Sequence, residues 1–305
     1  MLRFIIRRVL WLLLVLFVVL LITFVLMHLV PGGPWDREKA LAPKVIEALN
    51  RRYGLDLPLW RQFINYIGGV LHGDLGISYS YSDRTVVSLL VHGLPKTLTL
   101  GVLAFVFAQA IGIPFGVAAA LKQNSPVDYA SVLFATLFAS IPGFVLGILL
   151  MIIFSVTLHW LPTSGWGSVQ QVLMPVFCLA ALPAAQTARI TRASTLDVMR
   201  QDYVRTARSK GILESTIRVR HIFRNSLIPV ITIAGPMLAD LVTGSFIIEN
   251  LFAIPGVGRM FVQGIFARDY TLIMGGILFY AFTIAFLNLV VDILYGAIDP
   301  RIRYE

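Results

Sequence analysis

The sequence predicts an all-α integral membrane protein: a bundle of six transmembrane helices, both termini cytoplasmic, with a small helical region in the first outer loop. Three observations carry this prediction. Of 305 residues, 57% are hydrophobic and only 13% are charged, well outside the averages of soluble domains. Six apolar runs, at residues 9–27, 98–121, 130–158, 172–188, 227–248 and 271–291, approach or exceed the roughly 20 residues that cross hydrocarbon as helix. Lys and Arg then gather on alternate connections, as the positive-inside rule requires. With the N-terminus inside, the inner segments hold fifteen of them: Arg3, Arg7, Arg8, Lys122, nine between Arg189 and Arg224, Arg301 and Arg303. The two short outer loops hold only Arg259 and Arg268.

The net charge of +9 is therefore mostly topological. A nucleic-acid surface would interleave its cations with exposed aromatics on one soluble face, which the sequence does not do. No nucleic-acid partner is expected; the basic segments meet membrane lipid. The whole chain reads as one domain.

Taken in order, the first run follows Arg3, Arg7 and Arg8 and is interrupted only by Thr23. It is longer than a signal-peptide core, and Pro31-Gly32-Gly33-Pro34 follows in place of a small-x-small cleavage site, so it reads as a retained helix. Residues 31–96 form a long outer segment. Amphipathic stretches at 42–53 and 59–71, bounded by Pro43, Pro58 and Gly73, make it a folded cap rather than a linker. The second to fourth runs carry Pro114, Pro142, Pro175 and Pro183 with Gly112, Gly116, Gly143 and Gly147. Membrane helices tolerate these where neighbours re-satisfy the backbone, and small residues let helices approach closely. Cys178, the one cysteine, lies inside the fourth run and reads as a small buried apolar residue.

The inner connection, residues 189–226, is too long and too patterned to be a simple loop. Ser194 and Asp197 have the spacing of a capping box, Arg205, Arg208 and Lys210 gather at a helix C-terminus, and Gly211 suits the left-handed position just past it. A second short helix begins near Glu214 or Ser215, leaving Ile212 and Leu213 at the corner. Such a helix, Gly break and helix is a docking element; a surface helix lying on anionic lipid is the alternative.

Several segments together resemble one family. Residues 202–211 (DYVRTARSKG), continued by Arg220-His221 and Leu227-Ile228-Pro229, resemble the EAA loop of ABC importer permeases in the form carried by the dipeptide, oligopeptide and nickel group. Residues 1–34 (MLRFIIRRVL, later HLVPGGP), 249–258 (ENLFAIPGVG), Arg268-Asp269-Tyr270 and 288–304 (NLVVDILYGAIDPRIRY) fit the same group. The Pro-Gly-Gly-Pro and residues 71–76 (LHGDLG) look most like the first permease of an oligopeptide system.

The resemblance implies a type I ABC importer permease fold. It also implies a path shared with a homologous second permease, two cytoplasmic ABC ATPases, and an extracytoplasmic peptide-binding protein; the position and polarity of the outer cap, residues 36–91, make it the expected docking place for that protein. It makes the 189–226 loop the ATPase-coupling element, with Arg205, Thr206, Ala207 and Gly211 on the motif and Ile212, Leu213 and Glu214 at the corner. The motif's leading acid and first alanine are Arg205 and Thr206 here.

No cofactor is expected in this chain. It has no Gly-x4-Gly-Lys-Ser/Thr stretch, so ATP and Mg belong to the partner subunits, and the chain is expected to be non-catalytic. The five histidines are scattered without ligand spacing, and no metal site is expected. Ionisable groups at membrane depth mark function. Asp240, with Met237 one turn before it, faces either a water-filled path or a partner, or else makes an interhelical hydrogen bond. Asn288 and Asp292, four apart, border the path or lock helices at its inner rim. Two rivals stand beside this reading. An ion-coupled carrier would show paired intramembrane charges and repeats, and a non-transporting assembly protein would need no pore. Glutathione, opine and nickel-chelate systems share the architecture.

Overall fold

A computed structural model describes residues 2–35, 42–81 and 83–298, with side chains between residues 6 and 290. Among these the only extended pairing is one isolated antiparallel bridge, Ile77 to Thr85. The helices are α1 (Leu2–Leu29), α2 (Pro43–Tyr53), α3 (Leu59–Leu71), α4 (Val86–Leu121), α5 (Pro126–Ser140) and α6 (Gly143–Leu150), which continues as a π-helix, Met151–Thr157. There follow α7 (Val169–Met199), α8 (Asp202–Ser209), α9 (Glu214–Thr216), a π-helix at Ile217–Phe223, α10 (Arg224–Ser226), α11 (Ile228–Thr243), α12 (Phe246–Leu251), α13 (Val257–Phe266) and α14 (Tyr270–Ile298). Both amphipathic stretches of the 31–96 segment are helices, α2 and α3.

Among the described residues, five spans are long and apolar enough to cross a membrane: Ile6–Leu29, Val86–Leu121, Val169–Met199, Ile228–Leu251 and Tyr270–Val290. The third apolar run is different. It is a broken pair, Pro126–Ser140 and Gly143–Thr157, bent by 101°. Pro142 has no N–H to continue the ladder and restricts its predecessor, and Ile141 is extended at φ −91° and ψ 119°.

Two other runs depart from the expected bounds. α7 continues past Ala188 to Met199, because nothing in that stretch breaks a helix and one face is buried through Thr187, Thr191 and Thr195. Ser194 is thus mid-helix, and the capping box expected at Ser194 and Asp197 does not form; the capping box of α7 is Ser168 with Gln171 at its start. The fifth run breaks at Gly244, whose φ of 88° ends α11, and Ser245 caps α12 through its hydroxyl, 3.3 Å from the Ile248 N–H.

The chain forms two compact units, Met1–Thr97 with Pro255–Glu305, and Leu98–Ile254. In the first, Leu20, Phe24 and Met27 of α1 pack on Ile273 and Met274 of α14, with Phe63 and Ile67 of α3 against them. Asp269, fully buried, caps α14 through the Leu272 N–H (3.1 Å). It also accepts from the Ser78 hydroxyl (2.5 Å), the Ser80 N–H (3.0 Å) and the Thr271 hydroxyl (3.0 Å), pinning the 77–81 loop.

In the second unit, α4 lies directly on α7. A Cβ at Gly112 would come 2.7 Å from the Ala184 carbonyl oxygen, and one at Gly116 would come 2.5 Å from that of Ala188. Cys178 is buried at 3% exposure among Leu100, Leu146, Met174 and Phe252.

Candidate functional site

The segment after α7 is built on a small core of its own. Val204 and Ala207 of α8 meet Ile217 and Ile222 of the following helix, with Val198 and Met199 at the end of α7 against them. The segment is therefore an extension of α7, not a free loop.

α8 starts without a side-chain cap: Gln201 is extended and Asp202 occupies the first turn. It stops at Gly211, whose φ is +72°. The Gly211 N–H donates to the Arg208 carbonyl (3.0 Å) and the Ile212 N–H to the Ala207 carbonyl (3.3 Å). These are the paired bonds of a Schellman end, which needs a left-handed residue at that position. The turn throws Leu213 outward, at 75% exposure, with Ile212 beside it.

Glu214 opens α9 and receives Arg208 at 3.0 and 3.3 Å, so an ion pair closes the corner. That hydrogen bond from Arg208, reinforced by Arg218 at 3.7 Å, holds the Glu214 carboxyl below the usual carboxylate range, and the carboxylate in turn raises Arg208. Arg205, Thr206, Gly211, Ile212, Leu213 and Glu214 are all exposed, whereas Ala207 points into the core at 5% exposure. An exposed apolar pair on a segment that also exposes Arg205, Lys210, Arg218 and Arg220 can seat in a groove with an apolar floor and an acidic rim.

The membrane-embedded residues are less united. Asp240 lies midway along the Ile228–Leu251 span, exposed, and no side chain of the described residues hydrogen-bonds its carboxylate. Met237 is not beside it on that free face. Its sulfur receives Gln109 at 3.3 Å and it is buried among Ala104, Ala108, Ala180, Ala184 and Leu241. Asn288 is exposed on α14, and the side chain of Asp292 lies outside the described residues.

One pairing escaped the sequence. Asp128, in the first turn of α5, takes Arg192 of α7 bidentately, Nε to Oδ1 at 2.6 Å and Nη2 to Oδ2 at 2.8 Å. Arg192 reads locally as one more inner cation, and nothing in the pattern links it to a residue 64 positions away.

Residues 112–304 match the family described as the binding-protein-dependent transport system inner membrane component, and residues 1–101 match the N-terminal model of such membrane components. The chain belongs to this family. It is a multi-pass inner-membrane protein. Family relatives include the oligopeptide transport system permease protein OppB of Haemophilus influenzae, 41% identical over 307 residues with all of both chains covered. The dipeptide permease DppB of Lactococcus lactis is 38% identical, covering 99% of this chain and all of its own. Solved structures of the MetNI methionine ABC transporter in inward-facing conformations share the family fold. One has a TM-score of 0.58 at 19% identity, covering 69% of this chain and 96% of that one. An amino acid ABC transporter solved with histidines gives 0.50 at 20% identity, over 71% and 95%.

Proposed function

We propose that this chain is one of two transmembrane subunits of an ATP-driven peptide importer. It receives cargo from an extracytoplasmic peptide-binding protein at the 31–96 segment and is driven by two ABC ATPases through residues 205–214. A homologous permease completes the path. The chain is non-catalytic, and ATP with Mg is held by the ATPases.

The observation that carries this reading is the corner at Gly211. It is an exposed Ile212-Leu213 pair on an ion-paired turn that shares a core with the end of a helix long enough to span the membrane. That shared core joins the corner to α7 by packing as well as through the chain. Full-length relatives named as oligopeptide and dipeptide permeases support peptides as the cargo.

Co-expression with the second permease and both ATPases, followed by reconstitution in liposomes, tests the proposal. ATP hydrolysis raised by peptide-loaded binding protein, with ATP-dependent uptake, is the expected result. Uptake by the chain alone, driven by an ion gradient, would overturn it.

A further inference from the structure

The Asp128 carboxylate is nearly sealed, with 4% of its side chain exposed, and it accepts three hydrogen bonds. Both oxygens receive Arg192, and Oδ2 also accepts the Asn124 N–H at 3.0 Å. Asn124 stands in the left-handed region at φ 61°, in the short turn that joins α4 to α5. A second tie runs close by, from the Ser131 hydroxyl of α5 to the Phe115 carbonyl of α4 at 3.1 Å.

α4 is in turn seated on α7 through Gly112 and Gly116, whose Cα atoms leave no room for a methyl group against Thr187 and Thr191. Thus α4, the turn at Asn124, the start of α5 and the stretch of α7 around Arg192 form one block. Among the described residues only the ion pair ties α5 to α7 by directional, charge-assisted bonds, and bidentate geometry resists sliding as well as separation. Arg192 stands on the same uninterrupted helix as Val198 and Met199, which pack into the core of the 202–226 segment. At its other end α5 runs into the 101° bend at Ile141 and Pro142.

We propose that Asp128 and Arg192 are positioning residues for transport. They carry displacement of the 205–214 corner from α7 into α5, and so into the bent third span. This rests on the reading of that corner as the ATPase-coupling element. If the pair is a transmission joint, weakening it uncouples: ATP is still hydrolysed when loaded binding protein arrives, but less peptide crosses for each ATP. If the pair only holds the fold together, weakening it lowers the yield of assembled complex and leaves peptide moved per ATP unchanged in what assembles.

The complete reconstituted complex is measured for assembly, for ATP hydrolysis stimulated by loaded binding protein and for peptide taken up per ATP. The variants are Asp128→Asn, Arg192→Lys and the double variant Asp128→Glu with Arg192→Lys. Each single variant is expected to lower peptide per ATP by roughly 3- to 30-fold, the span seen for residues along coupling networks, while stimulated hydrolysis persists. The double variant, which regains an ion pair across the same gap, is expected to recover part of the loss. Unchanged peptide per ATP in both single variants overturns the proposal. So does failure of both to assemble, which would make the pair structural. A wild-type complex whose hydrolysis ignores loaded binding protein refutes instead the underlying assignment of an ABC importer.

Discussion

Gly211 offers a clean test of the coupling corner, because a Cβ added there meets no atom of this chain within 4 Å. Within this chain, the strain of an added Cβ therefore comes from the backbone, which is left-handed at φ +72°. An L-residue in that conformation costs roughly 1–2 kcal/mol, so the intact corner becomes about 5- to 30-fold less populated relative to its opened forms. Asn tolerates the left-handed position better than other residues with a Cβ, and β-branched Val tolerates it worst. Peptide-stimulated ATP hydrolysis and uptake, titrated against the ATPase subunits in proteoliposomes, should fall in the order glycine, Gly211→Asn, Gly211→Ala, Gly211→Val. The span across the series should be about 5- to 30-fold. Val as active as glycine, or Asn as damaging as Val, would show that the turn's geometry does not govern docking.

Asp269→Ala removes the acceptor of three donors at once, the Ser78 hydroxyl, the Ser80 N–H and the Leu272 N–H, which hold the 77–81 loop and the start of α14. It should cost at least about 3 kcal/mol, visible as a lowered Tm of the purified chain in detergent; an unchanged Tm would mean that the carboxylate is not the anchor. Asp240→Asn and Asp240→Leu should leave assembly intact, since the carboxylate holds no neighbour of this chain. Uptake of peptides with a free ammonium group should drop about 2- to 5-fold, the worth of a hydrated charge pair. Equal uptake of acetylated and free peptides by wild type and variants would remove Asp240 from the path. For the Arg208 and Glu214 pair the sign is fixed by the lowered carboxyl and the raised guanidinium. Its contribution is complete above the ordinary Glu range, is lost only as pH falls through the lowered value, and on the Arg side fades only at strongly alkaline pH. Coupling by wild type and Glu214→Gln should therefore show the same pH profile between about pH 6 and 8; a profile that differs there would point to another titrating group.

Elements that depend on local chemistry were legible in advance. α2 and α3 fall where amphipathic spacing and Pro43, Pro58 and Gly73 place them, and α8 ends at Gly211 for the reason its sequence suggests. The Ser194 and Asp197 capping box failed because a helix start is not a property of two residues. α7 was already helical there, with Thr187, Thr191 and Thr195 buried, and no free N–H remained to cap. Which face of α11 packs was not legible either: Met237, three residues before the exposed Asp240, is buried against α4 and α7.

By itself, the sequence determined that this is a membrane protein of about six apolar spans, and where the short helices α2, α3 and α8 end. Those properties follow from residue-by-residue transfer into hydrocarbon and from backbone freedom at Gly and Pro. Only the tertiary structure decided that the third span bends by 101°, that α7 reaches to Met199, and that Asp128 meets Arg192 and Asp269 meets Ser78. These join residues 64 and 191 positions apart in the chain. A buried carboxylate takes whichever donors close packing brings to it, and local pattern carries no record of which donors those are.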